Sequence, residues 1–308
     1  MADYLVVGAG AIGSTVAVML AEQHQSVQLV SRRGGGPSHP RIGLVTADAK
    51  DALRMCELAT GAVAIFNCLS PPYHQWPTQW PPMANALLLA AEKSGAVLVT
   101  MNNLYAYGQP TGPMTPESPF LANYEKAKVR EKMWLDALDA HNAGRIRMTE
   151  VRASDFIGPN AQSAMGERVF PRVLAGKSCT IIGSPDVAHS WTYTHDVART
   201  LIICANEPRA WGRAWHAPTN EPRTQRQVIN DIADVAGLAH VKVTSIPMLV
   251  IRAIGIFNAQ MRELPTTMYQ FTSPFIIDDS ATREAFGLEP TLWNELLSTT
   301  LDSYRVRA

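Results

Sequence analysis

The feature that most constrains this 308-residue chain is a glycine-rich segment near its start. Gly8, Gly10 and Gly13 follow a hydrophobic run, and the amphipathic stretch after them includes Ala11 and Ile12. At this spacing the first glycine permits a tight turn, the second lets the backbone approach a pyrophosphate, and the third lets helix and strand pack closely. The N–H groups that begin the helix favour phosphate. The segment therefore predicts a dinucleotide site.

The end of the second predicted strand, residues 27–31, bears on which dinucleotide is bound. In proteins that bind NAD, an Asp or Glu at this position holds the ribose hydroxyls, whereas this chain has Ser31, Arg32 and Arg33. Guanidinium groups pair with a 2′-phosphate, which a carboxylate would repel. The sequence predicts NADP(H) rather than NAD(H), with Arg32 as the first contact and Arg33 or Ser31 as the second. The alternative is a solvated basic turn.

The first half of the chain alternates short β-rich runs with helical stretches. Such runs, apolar and separated by helices, indicate a parallel sheet that is covered on both faces. Right-handed connections then give an α/β fold with a doubly wound parallel (Rossmann) sheet. We expect residues 1–158 to form the dinucleotide-binding domain. Residues 159–308 are expected to form mainly a smaller C-terminal substrate-binding lobe, interleaved with late elements of the main sheet.

Further cofactor contacts are expected where predicted strands end, because ligands bind at the carboxyl edge of such a sheet. Cys68 ends the fourth predicted strand, and Leu69 and Ser70 follow it. Asp48 follows the third strand and could accept a hydrogen bond from the adenine amino group. It could equally cap a helix that begins at Ala49, and the two roles are compatible.

Charge and composition favour a small molecule as the partner. Lys plus Arg equals Asp plus Glu at 27 each, so nothing in the overall charge indicates nucleic acid or an anionic membrane. The four cysteines and eight histidines show no metal-ligand spacing, so no metal is expected. The start lacks the basic region of a signal peptide, and the apolar residues 246–257 are too short to span a bilayer. We therefore expect a cytoplasmic protein without a membrane partner.

Tyr124 and Lys128 are candidates for the chemistry, since they lie four residues apart on one face of a predicted helix. A nearby ammonium stabilises a phenolate, lowers the pKa of the tyrosine and makes it a usable proton donor or acceptor. The same lysine could hold the nicotinamide ribose. On its own, a Tyr-Lys pair at this spacing is more often a solvated helix face.

Several segments in order resemble the extended or atypical short-chain dehydrogenase/reductases, the NAD-dependent epimerase/dehydratase group. The matching features are the glycine turn, Asp48, residues 104–108, Tyr124 with Lys128, and residues 152–159, 190–198 and 215–219. The resemblance implies a dinucleotide-dependent enzyme in which the tyrosine exchanges the proton. It also implies a possible homodimer built from the helices after the fourth and fifth strands.

The chain departs from that family where a Ser or Thr would polarise the substrate carbonyl. About four residues before Tyr107-Gly108 it has Asn103, with Asn102 beside it. An amide can donate a hydrogen bond to a carbonyl oxygen, so we predict Asn103 as a catalytic residue together with Tyr124 and Lys128.

The second half of the chain suggests an apolar substrate. Residues 246–276 are rich in methionine and aromatic side chains, which adapt to irregular apolar ligands. The resemblance places Trp76 and Trp191 near the ligand-binding edge of the sheet. The predicted substrate contacts are Asn102, Tyr105, Trp76, Arg168 and Trp191.

These residues lead to one favoured function and two alternatives. The favoured one is an NADP(H)-dependent oxidoreductase that reduces a carbonyl, or oxidises an alcohol, of a moderately apolar small molecule. The first alternative is a nucleotide-sugar epimerase or dehydratase with tightly bound cofactor, which would call for more charged anchors than the sequence offers. The second is a non-catalytic NADP(H)-binding sensor or regulatory protein.

Overall fold

A seven-stranded parallel sheet organises the protein. The structure, a computed structural model, describes residues 2–163 and 165–305. The strands are β1 Tyr4–Val7, β2 Val27–Ser31, β3 Ile42–Thr46, β4 Ala64–Asn67, β5 Val97–Asn102, β6 Arg147–Arg152, β7 Asp155–Ile157, β8 Cys179–Ile182, β9 Ala188–His189, β10 Trp191–Tyr193, β11 Ala214–His216, β12 Arg223–Thr224 and β13 Val243–Ile246. The helices are α1 Ala11–Glu22, α2 Ala52–Ala59, α3 Trp76–Ser94, α4 Glu125–Asn142, α5 Phe170–Leu174, α6 Thr194–Asn206, α7 Gln225–Ala236, α8 Met248–Phe257, α9 Ala259–Arg262, α10 Tyr269–Thr272, α11 Ser280–Phe286 and α12 Trp293–Arg305.

The strand order in the main sheet is β11-β6-β5-β4-β1-β2-β3, and every neighbouring pair is parallel. The order reverses beside β1, because the chain builds outward first through β2 and β3 and then through β4 on the other side. A crevice opens at such a reversal, at the carboxyl ends of the strands, and it is the usual ligand site of a doubly wound sheet. The predicted fold class is confirmed.

Helices cover both faces of this sheet. Helices α1 and α6 pack on one face, where Val16, Leu20, Val197 and Leu201 are fully buried with the inward side chains of the strands. Helices α2, α3 and α4 contribute to the core on the other face. Burying each leucine or valine of these faces stabilises the fold by about 1.5–3 kcal/mol. This two-sided burial explains why the strands read as continuous apolar runs.

A second core lies outside the sheet. Phe170, Trp191, Ile232 and Leu297 are buried there, between α5, α7, α12 and short strand pairs. Strand β11 pairs with β6 in the main sheet. Residues after 158 therefore serve both parts of the molecule, and the division into a dinucleotide domain and a substrate lobe stays a prediction.

Helix α3 starts at Trp76 and contains three prolines, Pro77, Pro81 and Pro82. Pro77 lies at the second helical position, where no helical hydrogen bond is lost, whereas Pro81 and Pro82 lie inside the helix and each removes one donor. Trp76 is fully buried and its Nε1 donates to Pro71 O at 2.8 Å, which fixes the first turn. None of the helices in the described part of the chain is long and apolar enough to cross a bilayer.

Candidate active site

The glycine turn has the geometry of a phosphate cradle. Gly8 has φ of +112°, and a Cβ there would lie 2.5 Å from Cys68 O. A Cβ on Gly13 would lie 1.8 Å from Gly8 O, whereas a Cβ on Gly10 would meet nothing within 4 Å. Gly10 is also the N-cap of α1, with no side chain capping the helix. The backbone is thus open at the one position where a pyrophosphate would approach, and these residues fit a dinucleotide.

The segment after β2 presents two arginines at the same edge of the sheet. Arg32 and Arg33 are both exposed, and neither forms an ion pair among the described residues. Ser31 Oγ donates to Gly35 O at 3.3 Å, which folds the glycine-rich loop back beside the strand. Both guanidinium groups are therefore able to turn toward a ligand phosphate.

The ends of β3 and β4 lie along the same crevice. The alternative role of Asp48 as a helix cap is wrong: α2 begins at Ala52, and Asp51 caps it by accepting from Arg54 N at 3.0 Å. Asp48 instead accepts from Lys50 N at 3.0 Å and keeps its carboxylate half-exposed. An adenine contact by Asp48 stays a prediction.

After β4 the chain passes directly beneath the glycine turn. Burial raises the pKa of the Cys68 thiol to about 12, so that side chain serves packing rather than reactivity. Leu69 N donates to Asn67 Oδ1 at 3.4 Å, and Ser70 is exposed. Cofactor contacts by Cys68, Leu69 and Ser70 therefore remain predictions that their position permits.

Four tyrosines meet beyond the carboxyl end of β5. Tyr124 Oη donates to Tyr105 O at 3.1 Å and lies 2.8 Å from Tyr269 Oη. Tyr73 Oη and Tyr105 Oη are also 2.8 Å apart. Tyr269 comes from α10, and sequence reasoning did not single it out beyond the aromatic character of its segment. Because Tyr124 and Tyr269 are 145 residues apart, no local pattern indicates their contact.

The predicted pairing of Tyr124 with Lys128 does not form in this structure. Lys128 Nζ is 2.7 Å from Glu131 Oε2, and its side chain is 55% exposed. Tyr124 is the N-cap of α4 with φ −94° and ψ 155°, so it lies outside the helical spiral that would align it with Lys128. Burial, with Tyr269 and Tyr73 close by, raises the pKa of the Tyr124 hydroxyl. The expected lowering of this pKa is wrong for the conformation described.

The two asparagines after β5 have structural partners. Asn102 is buried, and its Nδ2 donates to Glu150 Oε2 at 2.8 Å while its Oδ1 accepts from Asn103 N at 2.8 Å. Both ends of the amide are thus engaged in the core, and a substrate contact by Asn102 stays a prediction. Asn103 Oδ1 accepts from Tyr105 N at 3.1 Å, which orients its Nδ2 as the remaining donor. A catalytic role for Asn103 is left open by that arrangement.

Two predicted substrate tryptophans belong to the protein core instead. Trp76 stacks on Tyr105 at 5.9 Å between ring centroids and is fully buried. Trp191 is equally buried, and its Nε1 donates to Arg223 O at 2.9 Å. Indole groups this large are held inside by the apolar area that they remove from water. Arg168 is exposed, and its role stays a prediction.

A segment of the second half, residues 258–273, covers the tyrosine cluster. Lys126 Nζ, on α4, donates to Glu263 O at 2.6 Å and lies 3.3 Å from Glu263 Oε2. Lys126 is nearly fully buried; burial lowers the pKa of its ammonium, while Glu263 opposes the change. With the contact between Tyr269 and Tyr124, these bonds tie the segment to the start of α4.

The sequence matches the model of the NAD dependent epimerase/dehydratase family over residues 4–215, more than half of the chain. The chain belongs to this family. The matched residues include the glycine turn, the tyrosine at the start of α4, six strands of the main sheet and the beginning of the seventh, β11. Because members of this family are enzymes, the protein is an enzyme of the epimerase/dehydratase family.

Solved structures of epimerases and dehydratases share the whole fold of this family member. The UDP-glucose 4-epimerase of Thermotoga maritima, in a structure with UDP-glucose, superposes with a TM-score of 0.80 at 17% identity and covers 99% of each chain. The UDP-N-acetylglucosamine 4-epimerase of Methanobrevibacter ruminantium gives 0.81 at 16% identity over 100% of this chain and 99% of that one. The dTDP-glucose 4,6-dehydratase of Streptomyces venezuelae, solved with NAD, gives 0.77 at 18% identity over 98% and 97%.

Among curated proteins, this family member is similar to the uncharacterized protein y4nL of Sinorhizobium fredii. The two are 28% identical over 158 residues, which are 49% of this chain and 42% of that protein. The match thus spans less than half the length of the curated relative.

Proposed function

We propose that this enzyme is an NADP(H)-dependent oxidoreductase that reduces a carbonyl, or oxidises an alcohol, of a moderately apolar small molecule. The open backbone at Gly10, between two glycines that admit no side chain, is the observation that carries the proposal. A bound nicotinamide dinucleotide would supply or accept the hydride. Gly8, Gly10 and Gly13 would hold its pyrophosphate at the start of α1.

The preference for NADP(H) is proposed from the charge at the end of β2. Several neighbouring structures contain NAD, but their identity to this chain is at most 19%. At the position that discriminates the two dinucleotides, this chain has exposed Arg32 and Arg33 and no carboxylate. Two cations without an ion pair favour a 2′-phosphate, which pairs with guanidinium through charge-assisted hydrogen bonds.

Tyr124 is the proposed proton donor. Its hydroxyl is protonated at neutral pH and can donate to the oxygen of a carbonyl as it is reduced, although burial and the contact with Tyr269 raise its pKa and make it a weaker acid until substrate replaces that contact. In the structure, the hydroxyl of Tyr124 is hydrogen-bonded to the hydroxyl of Tyr269. A substrate oxygen would have to take the place of Tyr269, so residues 258–273 would shift when substrate binds.

The residues around Tyr124 suit an apolar substrate better than a nucleoside diphosphate. The cations near Tyr124 on α4 are already engaged: Lys126 by Glu263, Lys128 by Glu131, and Arg130 between the rings of Trp76 and Trp80. Recognising a diphosphate would require breaking some of these contacts. The tyrosine rings offer apolar faces with hydroxyl groups, which suit a carbonyl or hydroxyl compound.

Oxidation of NADPH with a panel of apolar ketones and aldehydes tests this proposal. We expect turnover with some of them, and a loss of about 10²–10⁴-fold in kcat for Tyr124→Phe, as is usual when a positioned proton donor is removed. Lys132→Met is the matched control on the same helix, because Lys132 is exposed and pairs with Asp136, away from Tyr124. Undiminished kcat in Tyr124→Phe would remove this residue from the mechanism.

Cofactor preference has its own test in titrations of NADPH and NADH by fluorescence. We expect tighter binding of NADPH, and a preference that falls about tenfold or more in Arg32→Glu as one charged pair to phosphate is lost. Arg41→Glu, also exposed but at the start of β3, is the control. Tighter binding of NADH by the unaltered enzyme would refute the preference.

A nucleotide-sugar epimerase or dehydratase is the second candidate, favoured by the substrates named for the neighbouring structures. It predicts that cofactor copurifies and that a nucleotide sugar is converted without net consumption of NADPH.

We also propose a cytoplasmic location and a homodimer that forms through α3 and α4. Measuring the mass of the purified protein in solution tests the dimer.

A further inference from the structure

Helix α8 turns an apolar face to solvent. Its inner side is marked by Ile251 and Gly255, which are buried against the chain that follows. A Cβ on Gly255 would lie 3.2 Å from Arg262 Cα, so α9 packs closely on that side. Ile251 and Gly255 are four apart, and this spacing defines one stripe of a helix. The part of the chain that the structure describes leaves the opposite side of the helix exposed to solvent.

The outward face of α8 consists almost entirely of large apolar side chains. Phe257 is 92% exposed, Leu249 77% and Ile256 67%, and Val250 and Ile254 are exposed on the same side. Single exposed apolar residues are common, but five on ten residues of helix form a continuous patch. Such patches mark surfaces that bind another protein or a membrane.

The stretch of sequence that contains this patch carries charge of one sign. Between Asp234 and Glu263 the sequence has no acidic residue, whereas Lys242, Arg252 and Arg262 are cations. Arg252 lies on α8 itself, exposed and without an ion pair in the part of the chain that the structure describes. Arg262 donates to the carbonyls of Gly255 and Ile256 at the helix end. An apolar face bordered by cations is complementary to an anionic lipid surface.

The size of the face argues against a protein partner of ordinary affinity. A helix of ten residues is about 15 Å long, and one side of it is far smaller than the roughly 800 Å² that each partner buries in a stable interface. A bilayer needs no matching surface, because insertion of a few side chains below the headgroups suffices.

We propose that the outer face of α8 docks the enzyme on the surface of an anionic lipid bilayer. Phe257, Leu249 and Ile256 enter the headgroup boundary and Arg252 contacts lipid phosphates. The docked helix leads directly into residues 258–273, which cover Tyr124. The neutral charge of the whole chain gives no indication of this surface, because the cations and the apolar patch are local.

Cosedimentation of the purified full chain with vesicles tests this proposal without cofactor or substrate. We expect binding to vesicles of phosphatidylcholine with phosphatidylglycerol, and weaker, salt-insensitive binding to phosphatidylcholine alone. Phe257→Ser combined with Leu249→Ser should lower the partition coefficient by about tenfold or more, since two large side chains lose their apolar burial. Arg252→Glu should lower binding to the anionic vesicles only.

The control is Leu53→Ser on α2, because Leu53 has the same 77% exposure as Leu249 and, among the residues that the structure describes, is the only exposed large apolar residue of its helix. Its vesicle binding should equal that of the unaltered protein. The proposal is overturned if anionic vesicles do not bind the protein, or if Leu53→Ser is as harmful as the double substitution. It is equally overturned if the α8 substitutions leave vesicle binding unchanged and instead abolish self-association in size-exclusion chromatography.

Discussion

Gly10 and Gly13 of the phosphate turn are required for different physical reasons, although both belong to one motif. Gly13 has no room for a side chain, because a Cβ would overlap the Gly8 carbonyl oxygen at 1.8 Å. A Cβ on Gly10 would meet nothing within 4 Å, so the protein itself has room for a side chain there. The absence of a side chain at Gly10 therefore matters only to a ligand. Gly13 maintains the fold, and Gly10 maintains access to the backbone.

Alanine at each position should separate these two requirements. We expect Gly13→Ala to lower the free energy of unfolding by about 3 kcal/mol or more, because backbone atoms would have to move. Gly10→Ala should change it by less than about 1 kcal/mol, yet weaken dinucleotide binding about tenfold or more, since its methyl group occupies the approach of the phosphates. Urea denaturation and cofactor titration measure the two effects. Equal loss of stability in both variants would contradict this assignment.

At the scale of elements, residues 258–273 are tied to α4 by an ion pair of unusual burial. Lys126 is almost fully enclosed, so its ammonium depends on Glu263 for a counter-charge. The pair of Lys128 and Glu131, on the same helix, is exposed to water and is therefore worth little. Both pairs join a lysine to a glutamate, and they differ in how deeply the lysine is buried.

Removing one carboxylate from each pair should give unequal results. We expect Glu263→Gln to lower the free energy of unfolding by about 2 kcal/mol and to speed hydrogen exchange in residues 258–273, because a buried ammonium loses its counter-charge. Glu131→Gln should cost less than about 0.5 kcal/mol and leave that segment protected. If both substitutions have the same effect on exchange, the buried pair does not hold the covering segment.

At the scale of the whole molecule, His216 joins three regions that are distant in sequence. It ends β11, its Nε2 lies 3.1 Å from Tyr107 Oη, and its Nδ1 lies 2.9 Å from Asp278 O. Since a carbonyl oxygen only accepts, Nδ1 carries the proton of the neutral ring and Nε2 accepts from the tyrosine. Burial lowers the pKa of His216 to about 3, well below its ordinary value of 6.5.

This burial predicts an acid-sensitive fold. The unfolded chain binds a proton at His216 near pH 6.5 and the folded chain only near pH 3, so the stability contributed by the neutral ring is complete above 6.5 and is lost between those values. One such group contributes a slope of up to about 1.4 kcal/mol per pH unit. Urea denaturation between pH 7 and pH 5 should show this slope reduced in His216→Asn, relative to the surface control His240→Asn. Parallel profiles would exclude His216 as its source.

The sequence alone determined those features that depend on residues close together in the chain. The turn of Gly8, Gly10 and Gly13, the alternation of apolar strands with helices, and the basic end of β2 are each set by neighbouring residues. A glycine is required where the backbone has positive φ or approaches another strand, and a strand buried on both faces must be apolar. These constraints are local, so they were sufficient to predict the doubly wound sheet and its phosphate crevice.

Only the tertiary structure decided how the site is closed. Lys128 pairs with Glu131, and Tyr124 is the N-cap residue of α4, outside the helical spiral that would align the two. Trp76 is buried in the core, where its large apolar area is removed from water. Tyr269 reaches Tyr124 across 145 residues and Glu263 reaches Lys126 across 137. No local periodicity specifies contacts at such separation, because they depend on the packing of whole elements against one another.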